Sequence, residues 1–222
     1  MTIYEKALEY IQPDDVVGLG SGRASVAFIK MLGERVKSGL KISGVPTSES
    51  SAALAVQLGI PLVSLENHVG KIRCAVDGAD EVDPQLNLIK GYGRALVREK
   101  IIAASANFLI VLVGQEKQVP KLGSRGKLPV EVVPFSAPLV KDRLEKLNIP
   151  ANLWTQEGKP GITDNGNWIL DCQIKPQEDP SRLEEAILAI PGVVDTGFFL
   201  GMAGVVLTGN DDFKLVSESY PK

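Results

Sequence analysis

At 222 residues, with 44% hydrophobic and 23% charged residues, the chain is long enough to bury one large core, or one core and a small satellite domain. A formal net charge of -3 and a pI near 5.4 exclude a broad electrostatic footprint for nucleic acid or anionic lipid, so any anion must be bound locally. No uninterrupted apolar run of about 18 residues exists, so no membrane span is expected, and Met1-Thr2-Ile3-Tyr4-Glu5-Lys6 lacks the charged-then-apolar layout of a signal peptide.

The two cysteines, Cys74 and Cys172, stand far apart and in no metal-ligand spacing. They read as small buried apolar residues, which fits a reducing cytoplasm. The single histidine, His68, lies in the polar stretch Glu66-Asn67-His68 and reads as a surface-loop residue.

In chain order, residues 3–11 read as a helix and 15–20 as a strand that enters a glycine turn. Residues 24–38 carry apolar positions at helical spacing. A strand over 41–45, an alanine-rich helix over 48–58 ended by Gly59, and strands over 61–65 and 72–77 follow. A helix over 94–106 and a buried strand over 108–113 complete the series. Strands alternating with helices predict βαβ units around a parallel sheet.

The register changes near Gly123. Strand 130–133, helix 139–147, strands 151–154 and 168–172, helix 180–189 and strand 193–198 make the order β-α-β-β-α-β, which is ferredoxin-like. Asp164-Asn165-Gly166-Asn167 marks a turn between the middle strands. Residues 204–208 read as a return strand. The expected architecture is therefore an α/β fold with an open parallel Rossmann-like sheet, formed by residues 1–123 plus 203–222. A smaller ferredoxin-like α+β lid or oligomerisation domain, 124–202, is inserted near the C-terminus.

Three segments carry candidate chemistry. Gly18-Leu19-Gly20-Ser21-Gly22-Arg23-Ala24-Ser25 joins a strand to a helix. Its glycines let the backbone approach a ligand, and the helix N-terminus offers N–H groups to an anion. A dinucleotide fingerprint is incomplete, because Arg23 stands at the third glycine and no ribose-binding acid follows the next strand. A P-loop lysine is absent as well. A phosphate or small polar ligand fits best, and a plain tight turn is the alternative.

Asp77-Gly78-Ala79-Asp80-Glu81 ends an apolar strand, where open parallel sheets place ligands. Clustered carboxylates push their pKa values apart, which suits separate acid and base roles. A solvated acidic turn or a metal site are the other readings. Lys90-Gly91-Tyr92-Gly93-Arg94 leads into a helix carrying Arg98-Glu99-Lys100, where Glu99 alone would read as a surface residue.

Together these segments, with Leu128-Pro129-Val130-Glu131-Val132, Gly44-Val45-Pro46-Thr47-Ser48 and Gly166-Asn167-Trp168-Ile169-Leu170-Asp171, resemble the type A ribose-5-phosphate isomerase family over roughly residues 8–205. That resemblance implies an aldose–ketose isomerase of the non-oxidative pentose phosphate pathway. It implies Glu99 as the base moving a proton between C1 and C2, and Asp77 and Asp80 as the groups handling sugar hydroxyls and ring opening. Lys90, with the Gly91 and Gly93 backbone, would stabilise the enediolate oxygens. Ser21, Gly22, Arg23 and Ala24 match the phosphate loop, Lys117 matches a substrate-contacting lysine, and Gly78, Ala79 and Tyr92 fall among the substrate-binding positions. No metal and no cofactor are implied, and the assembly implied is a homodimer or a dimer of dimers, without nucleic-acid or membrane partners. Arg23-Ala24 replace the family's usual Ser-Thr pair, and Tyr92 and Arg94 interrupt a turn that is usually all glycine. An enzyme on another phosphorylated sugar and a non-catalytic sugar-phosphate sensor are the competing readings.

Overall fold

The computed structural model describes residues 1–221. The chain forms two compact units, Met1–Ala79 with Arg98–Gln118 and Gly201–Lys222, and Asp80–Val97 with Val119–Leu200.

The first unit is built on a six-stranded sheet. Its spatial order is Leu215–Ser219, Ala203–Gly209, Leu109–Gly114, Ile72–Gly78, Val16–Leu19 and Ser43–Pro46. All pairings are parallel except that of the edge strand Leu215–Ser219. The central strand Leu109–Gly114 is buried at every position, as its unbroken Leu-Ile-Val-Leu-Val run requires of a strand covered on both faces. Helix Arg23–Lys37 turns Phe28, Ile29 and Leu32 into a core shared with Val17, Leu19, Val76 and Ile110. Each such side chain contributes about 1.5–3 kcal/mol on burial. Gly18 is required by close packing: a Cβ there would lie 2.6 Å from Ile102 of helix Leu96–Ser105.

The second unit has the expected β-α-β-β-α-β order: Lys127–Val132, helix Ala137–Lys146, Ala151–Leu153, Trp168–Gln173, helix Pro180–Leu188 and Val193–Thr196. The sheet is antiparallel, with these strands in the spatial order fourth, first, third, second. Leu128, Val130 and Val132 join Val140 and Leu144 of one helix and Ile187 of the other in a core of its own. The alternate position, Glu131, is fully buried and does not belong to that core.

Several elements differ from expectation. Residues 61–65 make only an isolated bridge, Gly44 with Leu62, before a 3-10 turn at Leu65–Asn67. Ser64 caps that turn by accepting from the Glu66 N–H, which ends the extended stretch. The strand expected over 193–198 breaks at Gly197 into Val193–Thr196 and Phe198–Phe199, which pair in different sheets. Gly197 donates to Pro129 and accepts from the Lys90 N–H, and a Cβ there would strike the Lys90 carbonyl. Phe198–Phe199, Leu88–Ile89 and Glu81–Val82 form a small three-stranded sheet that the pattern did not announce. Two-residue strands are too short to show a period.

Candidate active site

In the first unit, helix Leu96–Ser105 precedes strand Leu109–Gly114, which pairs parallel with Ile72–Gly78. A crossover of this kind runs the helix antiparallel to the strands. Glu99, in the first helical turn, therefore stands at the C-terminal edge of the sheet, and it is only 4% exposed. Ile102, three residues later on the same face, is the residue received by Gly18. Lys117 ends the 3-10 turn Gln115–Lys117 at the same edge, a turn held by the Gln118 amide donating to Thr208. Asp77, Gly78 and Ala79 lie at the end of Ile72–Gly78, and loop 20–22 follows Val16–Leu19. The parallel sheet thus brings the first unit's candidates to one edge.

The loop is fastened from below. Asp77, 3% exposed, accepts on Oδ1 from the Ser21 N–H at 3.1 Å, the Ser25 hydroxyl at 2.7 Å and its neighbouring Gly78 N–H at 2.8 Å. A Cβ at Gly20 would collide with this carboxylate, so glycine is obligatory there. The Ser21 hydroxyl meets Thr47 and Ser48, each at 2.8 Å, and Ser51 donates to the Gly20 carbonyl at 2.6 Å. Gly22 caps helix Arg23–Lys37 at φ 89° without any side-chain capping bond, and no acid occupies the first turn. The N–H groups of that turn and the helix's positive end are left to an anion. Arg23 and Gly22 are exposed, and Ala24 is partly buried against Gly78.

In the second unit, Lys90 is 3% exposed, its ammonium 5.3 Å from the Phe199 ring centre. Its N–H donates to Gly197. Gly91 adopts φ 101°, and the Arg94 N–H closes the turn onto the Gly91 carbonyl at 2.9 Å. Asp80 accepts from the Tyr92 N–H at 3.0 Å, while Gly93 is exposed. The Tyr92 phenol donates to the Lys127 carbonyl. Burial, and then the carboxylates of Asp80 and Glu81, hold that phenol above its ordinary range.

The acidic run is not one cluster of equals. Glu81 is fully buried and accepts from the Gly123 and Arg125 N–H groups, at 2.6 and 2.8 Å. Burial raises its pKa, with those bonds opposing the shift. It ties down the loop at 123–125. Sequence reasoning also missed Glu131, whose Oε1 accepts from Thr163, Asn165 and Asn167. Two motifs of the resemblance are therefore a single structural lock. Both cysteines are buried and unoxidised, and burial pushes each thiol up to about 12. Among the described residues, no group of three or more His, Cys, Asp or Glu is disposed to hold a metal ion, and no helix is long and apolar enough to cross a membrane.

One edge of an open α/β sheet thus carries a glycine loop with an uncapped helix N-terminus and a buried glutamate, and the comparisons place such a chain among the sugar-phosphate isomerases. The family model for ribose 5-phosphate isomerase A (phosphoriboisomerase A) matches residues 43–213. The chain is 46% identical to ribose-5-phosphate isomerase A of Roseiflexus castenholzii, covering 94% of this chain and 90% of that protein. It is also 46% identical to the protein of that name from Methanothermobacter thermautotrophicus, over 93% and 92%. A solved ribose 5-phosphate isomerase from Plasmodium falciparum superposes with a TM-score of 0.93 at 35% identity, covering 99% and 96%. A ribose-5-phosphate isomerase bound to phospho-erythronic acid does so with a TM-score of 0.91 at 41% identity, over 98% and 96%. The chain belongs to the ribose-5-phosphate isomerase A family.

Proposed function

We propose that this enzyme interconverts ribose 5-phosphate and ribulose 5-phosphate through an enediolate. The observation that carries the proposal is the nearly buried Glu99 at the sheet edge that also presents an uncapped helix N-terminus. Moving a proton between C1 and C2 needs a carboxylate base beside the carbon. Glu99 is that base. Charge then develops on two adjacent oxygens, which need donors aimed at them. Lys90 and the backbone of Gly91 and Gly93 supply these, and Asp77 and Asp80 handle the hydroxyls and ring opening. Ser21, Gly22, Arg23 and Ala24 take the phosphate, a binding handle remote from the reacting carbons. Gly78, Ala79, Tyr92 and Lys117 contact the rest of the sugar.

In functional terms, residues 1–123 plus 203–222 serve as the catalytic domain and 124–202 as a lid and oligomerisation domain. By packing, Asp80–Val97 goes with the second unit. Exposed Val133, Phe135 and Leu139 supply apolar surface suited to assembly, as a homodimer or a dimer of dimers. Free buried thiols fit a cytoplasmic enzyme. The reaction transfers a proton only and requires no metal or cofactor. The test is ribulose 5-phosphate formation from ribose 5-phosphate in excess chelator. Sustained turnover is expected. Turnover lost in chelator and restored by a divalent ion would overturn the metal-free mechanism, and turnover of a different phosphorylated sugar alone would overturn the substrate.

A further inference from the structure

Arg94 stands in the left-handed backbone region, φ 68°, where a non-glycine residue is strained and persists only if its surroundings hold it. They do so from two sides. The guanidinium makes a two-pronged bridge to Asp171, Nη1–Oδ1 2.6 Å and Nη2–Oδ2 3.0 Å, and lies 4.9 Å from the Trp154 ring centre. Lys127 reaches the same carboxylate at 3.6 Å and rests 4.2 Å from the Tyr92 ring centre, while Tyr92 donates back to the Lys127 carbonyl. Asp171 and Lys127 sit on paired strands of the four-stranded sheet. The turn from Lys90 to Arg94 is thus bolted to that sheet through Arg94 at one end and through the Lys90–Gly197–Pro129 backbone bonds at the other.

We infer that Arg94 is a positioning residue for the isomerisation: its bridge to Asp171 over Trp154 sets the turn whose N–H groups, with Lys90, receive the enediolate. The inference rests on the role proposed above for Lys90. A rigid fork matters here because a guanidinium fixes orientation as well as charge, which a lysine ammonium does not.

The experiment compares Arg94→Gly, Arg94→Lys, Asp171→Asn and Lys90→Met by steady-state kinetics and melting temperature. Glycine is chosen because it accepts φ 68° without strain, so that the bridge and the Trp154 contact are lost with no backbone strain added. Arg94→Gly and Asp171→Asn should each lower kcat by about 10–100-fold at temperatures where the variant is folded, with KM changing less, since a displacement near 1 Å has that order of cost. Arg94→Lys should recover part of the loss. If Arg94→Gly does not fold, Asp171→Asn decides by the same criterion. Wild-type kcat in the bridge variants beside a dead Lys90→Met would sink the inference and leave the Lys90 role standing. Wild-type kcat in Lys90→Met would remove that role, and the inference with it.

Discussion

Two glycine turns, each followed by an arginine, lead into helices, and the structure treats the two arginines in opposite ways. At Gly20–Arg23, the side chains of Asp77, Ser25 and Ser51 bind the loop from beneath and leave its outer N–H groups and Arg23 exposed. At Gly91–Arg94, the arginine is itself the fastening, paired with Asp171 and stacked on Trp154. The arginine of the first turn faces solvent, and that of the second is spent on the chain's own sheet.

The largest expected effect concerns Glu99. Helix Leu96–Ser105 begins two residues after Arg94 and carries Glu99 in its first turn. Glu99→Gln keeps the shape and removes the base. Because general-base catalysis is typically worth about 10²–10⁴ in rate, kcat should fall by at least about 10²-fold with a smaller change in KM. A glutamine variant with near-normal kcat would strip Glu99 of its role.

The sheet edge was legible in the sequence because parallel strands announce themselves as apolar runs ending in glycine or acid, as 15–20 and 72–77 do. Glu99 was legible only through its motif, since a glutamate between Arg98 and Lys100 looks like a surface residue and its burial comes from tertiary packing. The partition of the acidic run was hidden. Asp77, Asp80 and Glu81 look alike in sequence, yet Glu81 points to the N–H groups of residues more than forty positions away. The same is true of Arg94, whose partner Asp171 lies 77 residues on. Local pattern reports which face is buried but not which distant group will meet a side chain, and that is why the strand break at Gly197 and the Glu131 lock were also missed.

The next effect separates the two arginines. Arg23 occupies a first helical turn that has no acid, where the helix dipole disfavours a cation by about 0.3–1 kcal/mol. Arg23→Ala should therefore leave the ligand-free protein as stable as before or slightly more so. It should also weaken sugar-phosphate binding by about 1.5–3 kcal/mol, the usual worth of a hydrogen bond to a charged group. The loss should appear in KM and nearly vanish for the unphosphorylated sugar. Calorimetric titration of both proteins with a sugar phosphate checks it. Equal affinities would mean that the loop backbone holds the phosphate alone, and the contrast between an outward and an inward arginine would lose its functional half.

The smallest effect lies at the second turn and should have the opposite signature. Tyr92 contributes two separable bonds: its N–H to Asp80, and its phenol to the Lys127 carbonyl. Tyr92→Phe keeps the first and removes only the second. The ring stays available to the Lys127 ammonium, since a phenyl face attracts a cation much as a phenol does. The Lys127 carbonyl is left one donor short, so unfolding free energy should fall by about 0.5–1.5 kcal/mol, the net worth of an ordinary hydrogen bond. Affinity for the sugar phosphate should change little, because the phenol is spent on the sheet and Tyr92 keeps its backbone and ring for the sugar. Denaturant unfolding and steady-state kinetics on the one variant give both readings. A Phe variant of wild-type stability but raised KM would mean that the Tyr92 hydroxyl is released from the Lys127 carbonyl and faces the sugar in the working enzyme.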